Sequence, residues 1–152
     1  VPVQTLYNRA IAQLGICAFS KGLYSDVTSL LAPLEMHNAH ELLGQKVTHT
    51  SDMVNIDVEK SRLFPGHLHI HVDLLESIYL MSALIAELPK IYSCSFEVRT
   101  RPYSAKQFHH AISNIKNRDF IAPPDSTRDY IYHAYVCLHD CDWQKAYDIL
   151  LQ

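Results

Sequence analysis

The chain is poor in turn-formers: four glycines and seven prolines in 152 residues. Long stretches run without either, which disfavours a turn-rich β fold and favours helices. There is no initiator Met at Val1 and no signal peptide, and the four cysteines (Cys17, Cys94, Cys137, Cys141) lack the spacing of a secreted disulfide framework. Free thiols in a reducing cytosol are therefore expected. No Gly-rich phosphate loop and no nucleophile elbow is present. Nor is there a strong excess of one charge: the net charge is −3, so the whole chain does not attract nucleic acid by electrostatics alone. The chain opens on Val1-Pro2 and ends at Gln152 inside an apolar periodic run that starts near Asp142, so both ends read as cuts through a longer protein.

What is present is apolar residues, at 48% of the chain, enough for one domain with a core. Charge is uneven along it. Residues 1–89 carry 5 Lys/Arg against 9 Asp/Glu, residues 90–118 carry 6 against 1, and residues 119–152 carry 2 against 6. The middle segment reads as a solvated face or, more sharply, as a contact for an acidic partner or RNA. Its candidate contact residues are Arg99, Arg101, Lys106, Lys116 and Arg118.

Helical periodicity organises the rest. Residues 4–21 place Leu6, Ala10, Leu14, Cys17 and Ala18 at helical spacing, and residues 24–34 place Val27, Leu30, Leu31 and Leu34. Gly22 sits between the two runs. A short helix at 38–43 is ended by Gly44. Residues 45–66 are polar and weakly periodic and read as a long loop. Residues 68–88 are apolar on nearly every side, with Pro89 as the stop. Asp73, Glu76, Glu87 and two histidines argue against a membrane span and for a central buried helix. Residues 90–102 read as irregular. Residues 103–116 predict a helix with Phe108, Ile112 and Ile115 on one face. A further helix opens at Ser126, whose hydroxyl can accept from the Asp129 amide, and a last one opens at Trp143. Tyr7, Tyr24, Tyr79 and Tyr147 read as core or seam residues with hydroxyls at the rim.

The chain also echoes itself. At an offset of 119 residues Ala18-Phe19-Ser20-Lys21-Gly22-Leu23-Tyr24 falls on Cys137-Leu138-His139-Asp140-Cys141-Asp142-Trp143. Gly15 then falls on Ala134, Val27 on Ala146, Leu30 on Ile149 and Leu31 on Leu150. Small residues on a first helix let a second approach, and an aromatic covers the joint. That is the physics of a tetratricopeptide-like helix hairpin. Such hairpins cannot bury both faces alone and stack into solenoids. The expected fold is all-α, a right-handed solenoid of tetratricopeptide-like hairpins with about seven helices in a single domain over residues 1–152.

Metal and catalytic readings are weak. On a helix His67 and His71 would share a face while His69 would not, and no third ligand is fixed. His133, Cys137 and Cys141 form a better set, but Cys137 fills a packing slot and Cys141 stands where a turn usually has Gly. His109 and His110 are adjacent and point different ways around a helix. No catalytic residue, cofactor or metal is assigned. A small metal-dependent enzyme using these His and Cys positions is the rival class.

LYNRAIAQLGICAFSKGL, HELLGQ, HLHIHVDLLESIYLMSALIAELP, KQFHH, APPDSTRDYI and DWQKAYDIL occur in this order. As an ordered set, spanning Leu6 to Leu150, they resemble the family of c subunits of eukaryotic translation initiation factor 3, at the start of its PCI domain. His71 replaces the family's Asn, Cys141 replaces its Gly, and 45–66 and 90–102 match poorly. The resemblance implies a cytoplasmic, non-enzymatic, cofactor-free scaffold segment. Its implied partners are the other factor subunits and the small ribosomal subunit, with no membrane and no small-molecule substrate. It also implies a winged helix beyond Gln152 and, elsewhere in the family, an N-terminal tail that docks other initiation factors. The alternative is an adaptor of another PCI complex, of proteasome-lid or signalosome type.

Overall fold

The computed structural model describes residues 3–34, 38–45, 63–93 and 126–151, together with Phe108, His110, Ile112, Ser113 and Pro124. Among them the secondary structure is helical, with no strand. Six α-helices are bounded: α1 Val3–Ser20, α2 Tyr24–Leu31, α3 Ala39–Leu42, α4 Val72–Ser93, α5 Thr127–His139 and α6 Trp143–Leu150. A 3₁₀ turn at Gly66–Leu68 precedes α4. Phe108, His110, Ile112 and Ser113 are also helical, inside the expected 103–116 helix, the rest of which lies outside the described residues. The same holds for most of the loop expected at 45–66 and for 94–102. The chain divides into two compact units, Val1–Glu76 and Ser77–Gln152, taken separately below.

In the first unit α1 and α2 pack as a hairpin. Its turn is set by one residue. Gly22 has φ +76°; its amide donates to the Phe19 carbonyl (2.9 Å), and the Leu23 amide donates to the Ala18 carbonyl (3.0 Å). These are the two bonds of a Schellman motif, which satisfy carbonyls that a helix end would leave unpaired. α3 ends the same way. Gly44 has φ +67°, its amide donates to Glu41, and the Gln45 amide donates to His40.

The seam between α1 and α2 is built from small residues. Ala12 and Gly15 are buried on α1, and Val27, Thr28 and Leu31 on α2. A Cβ built on Gly15 would stand 2.7 Å from Cδ2 and 2.9 Å from Cγ of Leu31, so only glycine allows this approach. The apolar stripe read from the sequence is therefore on the other side. Leu6 is 52% and Leu14 56% exposed, and Ala10 and Cys17 are exposed too. Apolar periodicity weighs bulky residues, whereas the close packing is made by the smallest ones. Tyr7 is exposed as well, Tyr24 is half-buried against Phe19 (ring centroids 5.8 Å apart), and of the four tyrosines only Tyr79 is a core residue.

In the second unit α5 and α6 pack as the other hairpin. Ile131, Ala134 and Ala146 are buried. These are the positions that the 119-residue offset assigns to Ala12, Gly15 and Val27. The turn repeats bond for bond. Cys141 has φ +63°, its amide donates to Leu138, and the Asp142 amide donates to Cys137 (2.9 Å). The expected cap is present: the Asp129 amide donates to Ser126 Oγ (3.4 Å). Trp143 opens α6, as read from the sequence.

α4 carries the apolar run. Within the first unit Val72 and Leu75 are buried; within the second Ile78, Tyr79, Leu80, Ser82, Ala83, Leu84 and Glu87 are. Leu74, Ile85 and Pro89 are exposed. By length and composition Gly66–Pro89 is apolar enough to cross a membrane, but half of that window is buried in protein, as in a core helix. Two expectations need correction. The helix starts at Val72, so His67 lies in the 3₁₀ turn and His69 and His71 in the non-helical segment after it. Pro89 does not stop the helix, which continues to Ser93. The carbonyl that Pro89 cannot serve belongs to Ile85, whose residue is exposed, so water can serve it.

Two substitutions test the hairpins. Gly15→Ala gains about 1 kcal/mol of helix propensity but meets an enclosed Leu31, an overpacking cost of about 1–3 kcal/mol. Denaturant titration should show net destabilisation, and Gly15→Ala with Leu31→Ala should cost less than the sum of the singles. Cys141→Gly removes a left-handed non-glycine residue and should raise stability by about 1 kcal/mol, while Gly22→Ala should lower it by a similar amount. Equal denaturation midpoints for Cys141→Gly and the parent chain would contradict the strained turn.

Candidate docking surface

One polar cluster stands out in the first unit. It begins with Asn8 and Arg9, adjacent on α1 and both half-buried. Asn8 Nδ2 donates to the Leu42 carbonyl (3.1 Å), and Arg9 Nη1 donates to the Leu43 carbonyl (3.3 Å). These carbonyls end α3, where a cation and side-chain donors are favoured. Arg9 Nη2 donates to the Leu68 carbonyl, and the guanidinium lies over the Phe64 ring, 4.0 Å from its centroid. The Phe64 amide donates to Gly44 (3.0 Å), and His69 Nε2 bonds the Phe64 carbonyl (2.9 Å). The cluster thus joins α1, the end of α3 and the segment entering α4. A planar guanidinium can serve two carbonyls and a ring at once, which an ammonium cannot.

Sequence reading missed this role. The available signal was a polar pair, Asn8-Arg9, inside an apolar helical run.

The second unit has its own charged turn. The Lys145 amide donates to Asp142 Oδ1 (3.3 Å) and Lys145 Nζ reaches Asp142 Oδ2 (2.8 Å). The bonds from Lys145 hold the Asp142 carboxyl below its ordinary range, and Asp142 in turn raises the Lys145 ammonium. Burial raises the Tyr79 phenol; a backbone bond at Phe108 opposes this and the charge of Glu87 adds to it.

Among the described residues no group of three or more His, Cys, Asp or Glu could hold a metal ion. His67, His69 and His71 are exposed, and His133 and Cys137 lie on α5 with Cys141 in the turn after it. Cys17, Cys137 and Cys141 are free thiols. His110 is helical and exposed, while Cys94 and His109 lie outside the described residues. So do all five candidate contact residues, Arg99, Arg101, Lys106, Lys116 and Arg118.

The surface feature that the structure adds is apolar. On α1, Val3, Leu6, Tyr7 and Leu14 are exposed. On α6 and at its C-terminal end, Trp143, Tyr147 and Leu151, one turn apart, are 66%, 59% and 67% exposed. Ridges of this kind on helices suit packing against another helix.

The described residues thus define the class: an all-α protein built on a repeated helix hairpin with uncovered apolar ridges. Residues 1–98 match the family model described as the N-terminus of eukaryotic translation initiation factor 3 subunit 8. Over 155 aligned residues, covering 99% of this chain, it is 36% identical to the c subunit of eukaryotic translation initiation factor 3 from Xenopus tropicalis and 34% identical to that from Caenorhabditis elegans. Over 149 residues, 97% of the chain, it is 36% identical to the Lodderomyces elongisporus protein. The chain belongs to the family of c subunits of eukaryotic translation initiation factor 3. It spans 17–19% of the length of these relatives.

Replacing Arg9 by Lys should cost about 1–2 kcal/mol through a lost charged hydrogen bond and the ring contact. Amide exchange at Phe64 should accelerate while that at Ile131, in the other unit, stays unchanged. An unaltered Phe64 rate would remove Arg9 from this role.

Proposed function

We propose that this chain is a non-catalytic scaffold segment of the initiation factor 3 complex. It is a helical arm at the start of the PCI region that acts by docking other proteins. The observation that carries the reading is the hairpin used twice, with the same turn and with the apolar ridge of α1 left open, in a chain of this family. Repeated hairpins expose binding faces without needing a pocket. The arrangement proposed is a right-handed solenoid of tetratricopeptide-like hairpins, about seven helices in all. The setting is the cytoplasm. The partners are other factor subunits and the small ribosomal subunit, with no cofactor and no small-molecule substrate. Arg99, Arg101, Lys106, Lys116 and Arg118 supply the basic contact, to an acidic subunit surface or to ribosomal RNA. Family membership favours this reading over the proteasome-lid or signalosome alternative.

Co-expression of the factor's core subunits tests the proposal. With residues 1–152 deleted from the whole subunit, recovery of the other subunits on the tagged complex should fall. With the five basic residues changed to Ala, assembly or small-subunit binding should weaken and lose salt dependence. Full assembly of the deletion variant, with unchanged ribosome binding, would rule out a docking role.

A further inference from the structure

The two hairpins differ in one respect that their repeat makes measurable. The 119-residue offset pairs Tyr24, Thr28 and Ala32 with Trp143, Tyr147 and Leu151. In the first hairpin this line is less open: Thr28 is 8% exposed, and Tyr24 and Ala32 are partly buried. In the second it is the open ridge of α6. The residues are also larger and more apolar, Trp and Tyr standing where the less open line has Tyr and Thr.

The first unit shows how such a hairpin is completed. Beyond α2 the chain folds back: Leu34, Ala39 and Leu43 are all buried, and Asn8 and Arg9 of α1 hold the carbonyl end of α3. The same offset carries Leu34, Ala39 and Leu43 past Gln152. The second hairpin therefore has the open ridge. The element that would cover it falls, by the repeat, beyond residue 152. Relatives of this chain are several times longer.

We infer that the Trp143, Tyr147 and Leu151 ridge is the seat of the next helix of the same polypeptide, in the residues that come after Gln152 in the whole subunit. The inference rests on the helical-repeat part of the proposed function and on none of its ribosomal part. The seated segment presents small or aliphatic residues to the ridge, of the kind that Leu34, Ala39 and Leu43 bury after α2 in the first unit.

Hydroxyl-radical footprinting of the full-length subunit, purified alone, tests this. Tyr79, 1% exposed, is the buried internal reference, and the guanidinium-unfolded subunit is the accessible one. Trp143 and Tyr147 should be oxidised as slowly as Tyr79, severalfold below their unfolded rates. Oxidation near the unfolded rate while Tyr79 stays protected would overturn the inference. Protection that appears only when other factor subunits are added would also overturn it, by placing the cover in another protein, and would leave the docking arm standing. Protection lost on dilution would overturn it in favour of a second copy.

Discussion

Both hairpins depend on one backbone constraint. A helix can reverse within two residues only if its end carbonyls are satisfied on the way out, and the Schellman bonds do this when one residue turns left-handed. Gly22 and Cys141 fill that role in the two hairpins, and Gly44 ends α3 in the same manner. The bonds at Gly22 and Cys141 match donor for donor and acceptor for acceptor. The repeat is thus a repeat of backbone geometry, and side chains are free to differ around it. The second hairpin tolerates a cysteine where the first has glycine. It then adds a side-chain cap and an ion pair at Asp142, neither of which Leu23 can supply at the equivalent position.

The turn fixes the reversal but not how closely the helices approach. That is set by the small residues along the seam. Gly15 admits Leu31 into van der Waals contact in the first unit. Ala134 and Leu150 stand at the matching positions in the second. The bulk at the neighbouring pair is exchanged, Ala12 and Val27 in one hairpin against Ile131 and Ala146 in the other, so similar apolar volume is buried from opposite helices. The consequence for function is on the outside. When the smallest residues form the seam, the larger apolar ones of the same helix point away from it. Leu6, Tyr7 and Leu14 on α1 are therefore left on the surface.

The Asn8–Arg9 cluster adds the long-range tie. Asn8 and Arg9 lie 34 residues from the α3 carbonyls they meet, and Arg9 lies 59 residues from Leu68. Charged bonds that close such distances act against chain entropy. They fix where the end of α3 and the segment entering α4 stand relative to α1.

Much of this was written locally. The ends of α1 and α3, the Ser126 cap, the opening of α6 at Trp143, and the register of the two hairpins depend on residues within a few positions of one another. Glycine, serine and aromatic identities therefore reveal them. The family was legible for the same reason, as an ordered set of local motifs. The buried side of α1 was not legible, because apolar periodicity scores bulk while a close helix contact selects the absence of it. Nor was the passage of α4 through Pro89. The role of Arg9 depends on carbonyls brought to it from α3 and Leu68. The sequence by itself determined where helices begin, end and repeat, since capping and turn energies act over one turn. Only the tertiary structure decided which faces are buried, which are open and what Arg9 holds, because those are contacts between segments far apart in the chain.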